Sequence, residues 1–269
     1  MTDIGILGAD GRMGRAVIQA LEAKPQEMMT LTAALTAPGS PNVGKDAGAF
    51  AGTKDLGVPI SADLISGLES CDVMIDFSRP QAAIDCVLAL HGRRCQSFVT
   101  GTTGFTDVEA FALSEAADGI ALLQSGNFSL GVNLLEALVE QAARALGQDW
   151  DIEITEQHHK HKVDAPSGTA LMLGGAAAKG RGAALSDVRA PMRGGIDAPR
   201  ISGNIGFSAI RGGDIIGVHD VHLISELEQI TLGHRAFDRS VFASGALNAA
   251  LWAAGQKPGR YTMRDVLGL

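Results

Sequence analysis

Between Glu156 and Ala170 the chain reads EQHHKHKVDAPSGTA. Three histidines (His158, His159, His161) and two lysines (Lys160, Lys162) fill five consecutive positions, and Pro166-Ser167-Gly168-Thr169 then opens a helix. Three chemistries compete for such a block. Imidazoles can hold a metal, but no HExxH-type spacing is present and the lysines repel a cation. A solvated basic loop is the second reading. The third is an anion pocket with acid–base chemistry: histidine titrates near neutral pH, lysine adds a point charge, and a Ser/Gly/Thr helix start offers backbone N–H groups to a carboxylate. All three features converge on one turn, which suits a dicarboxylate best, and no metal is expected.

The elements that must position this block read as follows. WDIEITEQHH alternates as a strand does and delivers the histidines at its end, and the helix opened by Pro166 runs on through ALMLGGAAAKG. LGVNLLEALVEQAARALG before it is an amphipathic helix; ISGNIGFSAIR, DIIGVHDVHL and EQITLGHRA after it alternate between Gly-rich turns, as mixed or antiparallel strands. A helix over SVFASGALNAALWAAG closes the set.

The first half has a different rhythm. Apolar IGILG, the turn ADGRMG and the helix RAVIQALEA follow one another at the N-terminus, with glycines at Gly8, Gly11 and Gly14. Such glycines make a tight turn, let backbone approach a pyrophosphate and let helix pack on strand. LTAALT, CDVMIDFSRP, QSFVTGTTGF and GIALLQSGNFS supply further strands, with helices between them. Strand–helix alternation implies a parallel sheet whose ligands sit beyond the strands' carboxyl ends. That puts Phe77, Ser78, Arg79, Gly101 to Thr103 and Ser125 to Phe128 on one rim with the glycine loop. The fold expected is α/β: a Rossmann-like parallel-sheet domain over 1–129 and 239–269, plus an α+β domain with a mixed sheet over 130–238. An NAD site usually carries an acid at the end of the second strand; here Thr36 and Ala37 stand there, so NADH and NADPH both remain open.

Bulk properties agree. A formal charge of −8 over 269 residues argues against nucleic acid as partner. No apolar run approaches the ~18 residues of a membrane span. The N-terminus lacks a signal-peptide pattern, and three cysteines without a CxxC fit a reducing cytoplasm.

The residues E-x-H-H-x-x-K-x-D-A-P-S-G-T-A, together with GADGRMG, GTTGF and NFSLGVN, resemble the 4-hydroxy-tetrahydrodipicolinate reductases, also called dihydrodipicolinate reductases. The resemblance runs to MRDVLGL at the C-terminus. It implies an oxidoreductase of diaminopimelate and lysine biosynthesis that uses NADH or NADPH to reduce a small cyclic dicarboxylate. By the same resemblance the second domain joins a homotetramer. His158 is implied as general acid/base, and Lys162 as proton donor and carboxylate partner. His159, Ser167, Gly168 and Thr169 are implied at the substrate. Gly8, Ala9, Asp10, Gly11, Arg12 and Met13 are implied at the pyrophosphate. Thr36, Phe77 and Arg79 join the cofactor set, with Gly101, Thr102 and Thr103 at the nicotinamide and Ser125, Gly126, Asn127 and Phe128 at the hinge. Cationic neighbours are expected to discourage protonation of His158 until substrate carboxylates arrive. Arg239 matches a position near the domain junction, where a structural salt bridge is an equal alternative. Val218 stands before His219 where the family has Glu, and that segment is expected to be structural. The rival readings are another two-domain NAD(P)-dependent amino-acid dehydrogenase and a non-catalytic dinucleotide sensor.

Overall fold

Short runs of Ile, Val, Leu and Ala with few polar breaks form strands covered on both faces. In the computed structural model, which describes residues 1–23, 28–191, 197 and 199–269, they build one of two units. That unit comprises Met1–Ser129 and Ser240–Leu269, and the other Leu130–Arg239.

In the first unit the strands are β1 (Thr2–Leu7), β2 (Met29–Leu35), β3 (Ile60–Ser61), β4 (Val73–Asp76), β5 (Ser97–Thr100), β6 (Ala121–Gln124) and, last in the chain, β11 (Gly259–Tyr261). They pair in parallel in the order β11-β6-β5-β4-β1-β2-β3. The order reverses at β1, and the crevice beyond such a switch point is where open α/β sheets bind ligands. The crossovers are α1 (Arg12–Glu22), α2 (Ala47–Ala51), α3 (Leu64–Ser70), α4 (Pro80–Leu90) and α5 (Asp107–Ala116). Four of the five starts have a local side-chain cause: Asp46 and Asp63 cap α2 and α3, Pro80 opens α4, and Thr106 with Glu109 forms a capping box on α5. Leu68, Met74, Val87, Leu90, Phe98 and Leu113 lie at the heart of one core. The short elements α2, β3, α3 and β11 carry too little periodicity to announce themselves in the sequence.

The second unit opens on α6 (Leu130–Leu146), followed by β7 (Asp151–His158), α7 (Gly168–Gly180), α8 (Leu185–Val188), β8 (Ile205–Arg211), β9 (Gly217–Ile224) and β10 (Gln229–Ala236). The sheet order is β10-β9-β7-β8. β8 runs parallel to β7, while β9 and β10 are antiparallel, so the sheet is mixed. Leu135, Val139, Ile152, Ile154, Leu173 and Val221 share its core, formed where α6 and α7 pack on the sheet. The chain then returns to the first unit through α9 (Ser240–Ala253), which packs on α1, β4 and β5, and ends in α10 (Met263–Leu267). Arg239, the last residue of the second unit, is exposed, and the ion pairs among the described residues do not include it.

Candidate active site

β7 alternates strictly between half-buried and buried positions, and its buried face carries Ile152, Ile154, Glu156 and His158 in that order. The period of two that sinks the isoleucines therefore sinks a carboxylate and an imidazole beside them. Glu156 is 1% exposed and His158 8%. A buried carboxylate must be satisfied, and four donors meet it. Arg211 donates from Nη1 to Oε2 at 2.8 Å and from Nη2 to Oε1 at 2.6 Å. The Ser167 backbone N–H reaches Oε1 at 3.1 Å, and His158 Nδ1 lies 2.6 Å from Oε2. Burial works to raise the Glu156 pKa, but Arg211 and His158 together outweigh it and hold the carboxyl below its ordinary value.

The bond to Glu156 fixes the ring of His158: Nδ1 keeps its proton and Nε2 is left to exchange one. Burial is the largest influence on this imidazole and pushes its pKa down; Glu156 opposes it, and Lys162 and Arg211 add to it. The cationic neighbours act in the expected direction, and burial adds a larger push the same way.

Strand register supplies the other partners. β7 pairs His158 with Arg211 on β8 and Glu156 with His219 on β9. His219 is 4% exposed, stacks edge-on against His158 with ring centroids 5.0 Å apart, and has Nε2 3.1 Å from Ser167 Oγ. Ser167 caps α7 by accepting from Ala170 N at 3.2 Å, so its own hydroxyl proton is left for His219. Burial first, then the charge of His158, pushes the His219 pKa down to about 4. The β9 segment read as structural therefore contributes a buried wall to the cluster. His219, Arg211 and Glu156 are the members that sequence reasoning missed.

Of the implied substrate residues, Ser167 joins the cluster directly. Gly168 and Thr169 form the first turn of α7, whose backbone N–H groups point out of the helix end. Lys162 sits in the loop between β7 and α7 with its ammonium 2.9 Å from Asp164 Oδ2, keeping donors for a second anion. His159 is half-buried and faces His161 with ring centroids 6.3 Å apart, while His161 and Lys160 are exposed. The basic block is thus split: His158 belongs to the buried cluster, and Lys160 and His161 do not. Among the described residues no group of three or more His, Cys, Asp or Glu could hold a metal ion.

In the first unit the glycine loop is as tight as its sequence requires. Gly8 has φ +82°, and a Cβ there would come within 2.7 Å of the Phe77 carbonyl oxygen. At Gly14 a Cβ would meet the Gly8 carbonyl oxygen at 2.2 Å, so α1 packs directly on the loop. Gly11 is the N-cap of α1 and no side chain caps that end. The first-turn N–H groups of Arg12 and Met13 are then available to a phosphate. A cavity of about 640 Å³ opens here; Gly8, Asp10, Gly11, Thr36, Phe77 and Arg79 are among its lining residues.

The remaining rim residues form a braced wall. Buried Asp76, at the end of β4, accepts from Ser78 N–H (2.9 Å), Ser78 Oγ (2.5 Å) and Thr100 Oγ1 (2.7 Å). Thr102 Oγ1 accepts from Ser78 N–H at 3.0 Å, which ties the loop after β4 to the Gly101–Thr103 tip. Phe77 meets Phe128 edge-on at 5.6 Å across Gly101, where a Cβ would strike the Phe77 ring at 2.2 Å. Phe128 is only 2% exposed, so its ring supports this wall from beneath. Ser125 Oγ donates to Asn127 O at 2.7 Å and Asn127 Oδ1 accepts from Ser129 N–H at 2.9 Å, so the turn after β6 is self-bonded. Thr103 and Gly126 are exposed, while Ala9 is fully buried.

Residues 2–128 match the family domain described as dihydrodipicolinate reductase, N-terminus, and residues 131–267 match its C-terminus. Among curated relatives, the 4-hydroxy-tetrahydrodipicolinate reductase of Rhizobium rhizogenes is 51% identical, covering 98% of this chain and 96% of the relative. That of Parvibaculum lavamentivorans is 49% identical over 99% of this chain and 97% of the relative. Among solved structures, a dipicolinate-bound dihydrodipicolinate reductase from Paenisporosarcina sp. TG-14 shares the fold, with TM-score 0.73, 21% identity and 97% of each chain covered. The Rossmann-like unit, the mixed-sheet unit and these relatives over nearly the whole length agree: the chain is an oxidoreductase and belongs to the dihydrodipicolinate reductase family.

Proposed function

We propose that the chain carries out the NADH- or NADPH-dependent reduction of 4-hydroxy-tetrahydrodipicolinate to tetrahydrodipicolinate, in diaminopimelate and lysine biosynthesis, with the Glu156–His158 pair as its acid–base centre. The observation that carries this reading is a buried histidine whose Nδ1 is held 2.6 Å from an ionised glutamate, beside a capped helix N-terminus and a lysine. Reduced nicotinamide, when bound in the first unit, supplies the hydride. The substrate loses water, and a proton must reach the ring carbon next to the one that receives the hydride. His158 Nε2 delivers that proton, and a positioned acid contributes typically ~10²–10⁴-fold in rate.

The substrate's carboxylates fall to different groups in this reading. Lys162, His159 and the N–H groups of Gly168 and Thr169 take the oxygens, each charge-assisted bond contributing roughly 1.5–3 kcal/mol. Ser167 holds the helix start in place through its cap and its bond to Glu156. The arriving negative charge also raises the proton affinity of His158, which couples binding to acid catalysis. Gly8 to Met13 cradle the pyrophosphate, Gly101 to Thr103 face the nicotinamide, and Ser125 to Phe128 form the turn before α6.

The protein works as a homotetramer joined through the second unit. This is supported by the mixed sheet, whose edge strands β8 and β10 leave Ile210 51% and Ile230 38% exposed. A cytoplasmic location is supported by three buried free thiols, Cys71, Cys86 and Cys95. No helix among the described residues is long and apolar enough to cross a membrane.

The test is nicotinamide oxidation with freshly generated hydroxytetrahydrodipicolinate, with NADH and NADPH in parallel. Turnover lost in His158→Gln and Lys162→Met, with nucleotide binding retained, is expected. A wild-type protein that binds nucleotide and turns over with neither cofactor sinks the reductase reading in favour of a dinucleotide sensor.

A further inference from the structure

A dinucleotide fold of this topology usually holds the adenosine ribose with an acid at the end of its second strand. Here β2 ends in Leu35, followed by Thr36 and Ala37. The carboxylate is not absent from the cavity, however; it enters from the glycine loop. Asp10 lies between Gly8 and Gly11, in a stretch whose backbone suits a pyrophosphate, and a carboxylate aimed at that anion would repel it.

Its side chain leans instead toward the loop after β2. Ser40 Oγ donates to Asp10 Oδ2 at 2.6 Å and Asn42 Nδ2 to the same oxygen at 3.2 Å. Burial works to raise the Asp10 pKa, but bonds from Ser40, Thr36 and Asn42 outweigh it and hold the carboxyl below its ordinary value. Asp10, Thr36 and Ser40 all line the same cavity. A carboxylate offers about four lone-pair sites, so acceptor capacity remains for the hydroxyls of a ribose.

Two of the cations nearby, Lys45 and Arg15, are engaged elsewhere. Lys45 donates to Asn42 Oδ1 at 2.8 Å and its ammonium lies 5.4 Å from the Phe50 ring centre. Arg15 sits 5.7 Å from the centre of that ring. Neither lines the cavity, whose charged lining residues are Asp10, Asp85 and Arg79. A 2′-phosphate entering at the end of β2 meets an anion.

We propose that Asp10 is the specificity-determining residue for the cofactor: it takes the place of the acid missing from β2, binds the ribose 2′-hydroxyl and selects NADH over NADPH. This rests on the dinucleotide reading of the first unit and deepens it. Asp10 then belongs to the ribose end of the site, and the pyrophosphate is left to the backbone around it.

The experiment is direct titration of the full chain with NADH and with NADPH, followed by nucleotide fluorescence, for the wild type, Asp10→Asn and Ser40→Ala. The wild type is expected to bind NADH more tightly. One charge-assisted bond lost in Asp10→Asn weakens NADH by about ten- to a hundredfold and leaves NADPH unchanged or tighter. Ser40→Ala keeps the glycine turn and removes one anchor, so it moves the ratio the same way by a smaller factor; it decides alone if Asp10→Asn does not fold. A wild type that prefers NADPH, or a binding ratio unmoved in the folded variants, overturns the proposal. Turnover measured on the same preparations separates it from the reductase reading. Asp10-dependent NADH binding without turnover removes the reaction and keeps the selectivity, whereas turnover with an Asp10-independent ratio does the reverse.

Discussion

Replacing Glu156 by Gln keeps the shape of the buried side chain and removes its charge. The carboxylate receives two bonds from Arg211, one from the Ser167 N–H and one from His158 Nδ1. An amide has a single acceptor oxygen, so one side of it must face donor to donor whichever way it turns. At least two charge-assisted bonds go, each worth ~1.5–3 kcal/mol, and Arg211, 20% exposed, recovers part of that from water. The expected loss of stability is about 3 kcal/mol by the same scale. The effect on catalysis comes through His158. Glu156 raises the proton affinity of that ring against the burial that lowers it, so without the charge the imidazolium loses its counter-ion and kcat falls about 10- to 100-fold. The alkaline limb of the pH–rate profile, where His158 gives up its proton, moves to lower pH. Arg211→Gln provides the opposite sign: Arg211 helps hold the His158 pKa down, so the limb moves to higher pH. The assay is kcat and KM against pH for both variants, with circular dichroism to establish that each is folded. Limbs that move in the same direction, or a folded Glu156→Gln enzyme with wild-type kcat and profile, would refute the dyad.

Stability should also depend on pH through His219. Its pKa is about 4 in the fold against an ordinary 6.5, so between those values the unfolded chain takes up a proton that the folded chain refuses. Stability therefore falls as the pH drops through that window, by roughly 3 kcal/mol in full, and His219→Gln should flatten the part of the dependence seen in denaturant titrations. Two helix glycines should respond with opposite signs. Gly14→Ala puts a Cβ 2.2 Å from the Gly8 carbonyl oxygen and 2.7 Å from Ala9 Cα; it should cost at least ~1–3 kcal/mol and weaken nucleotide binding. Gly175→Ala, where a Cβ meets nothing within 4 Å, should raise stability by roughly 0.5–1 kcal/mol; both read out as Tm shifts.

What the sequence discloses about this site follows from how far each contact reaches along the chain. The glycine turn, the Ser167 cap and the strand leading into His158 are local, and their residue types announce them. Glu156 was equally within reach. It stands two positions before His158 and two after Ile154, and in a strand that spacing puts all three on one face. The signal lies in the alternation, but a single acid in a strand of alternating polarity reads equally well as a solvated side chain. Arg211 and His219 are different. Arg211 is 55 residues from Glu156 and reaches it because β8 runs parallel to β7 in one register. His219 arrives by antiparallel pairing of β9. A slip of one residue in either pairing would turn these side chains to the other face, and no local pattern states which register holds.

That same dependence explains how the site can be built from a charge cluster that would otherwise be unstable. His158 and His219 stack in a buried place where protonating both is disfavoured, and burial keeps His219 neutral. Neutral His219 accepts from the Ser167 hydroxyl, Ser167 caps α7, and its N–H returns to Glu156. One carboxylate thereby fixes both the imidazole proposed as the acid and the helix end proposed to meet the substrate's carboxylate. The two jobs cannot drift apart, because a shift of Glu156 that misaims the proton also misplaces the anion site. This is the physical reason to expect substitutions at Glu156 to change kcat and KM together, whereas those at His219, which bonds the cap and stacks on the ring's edge, change stability first.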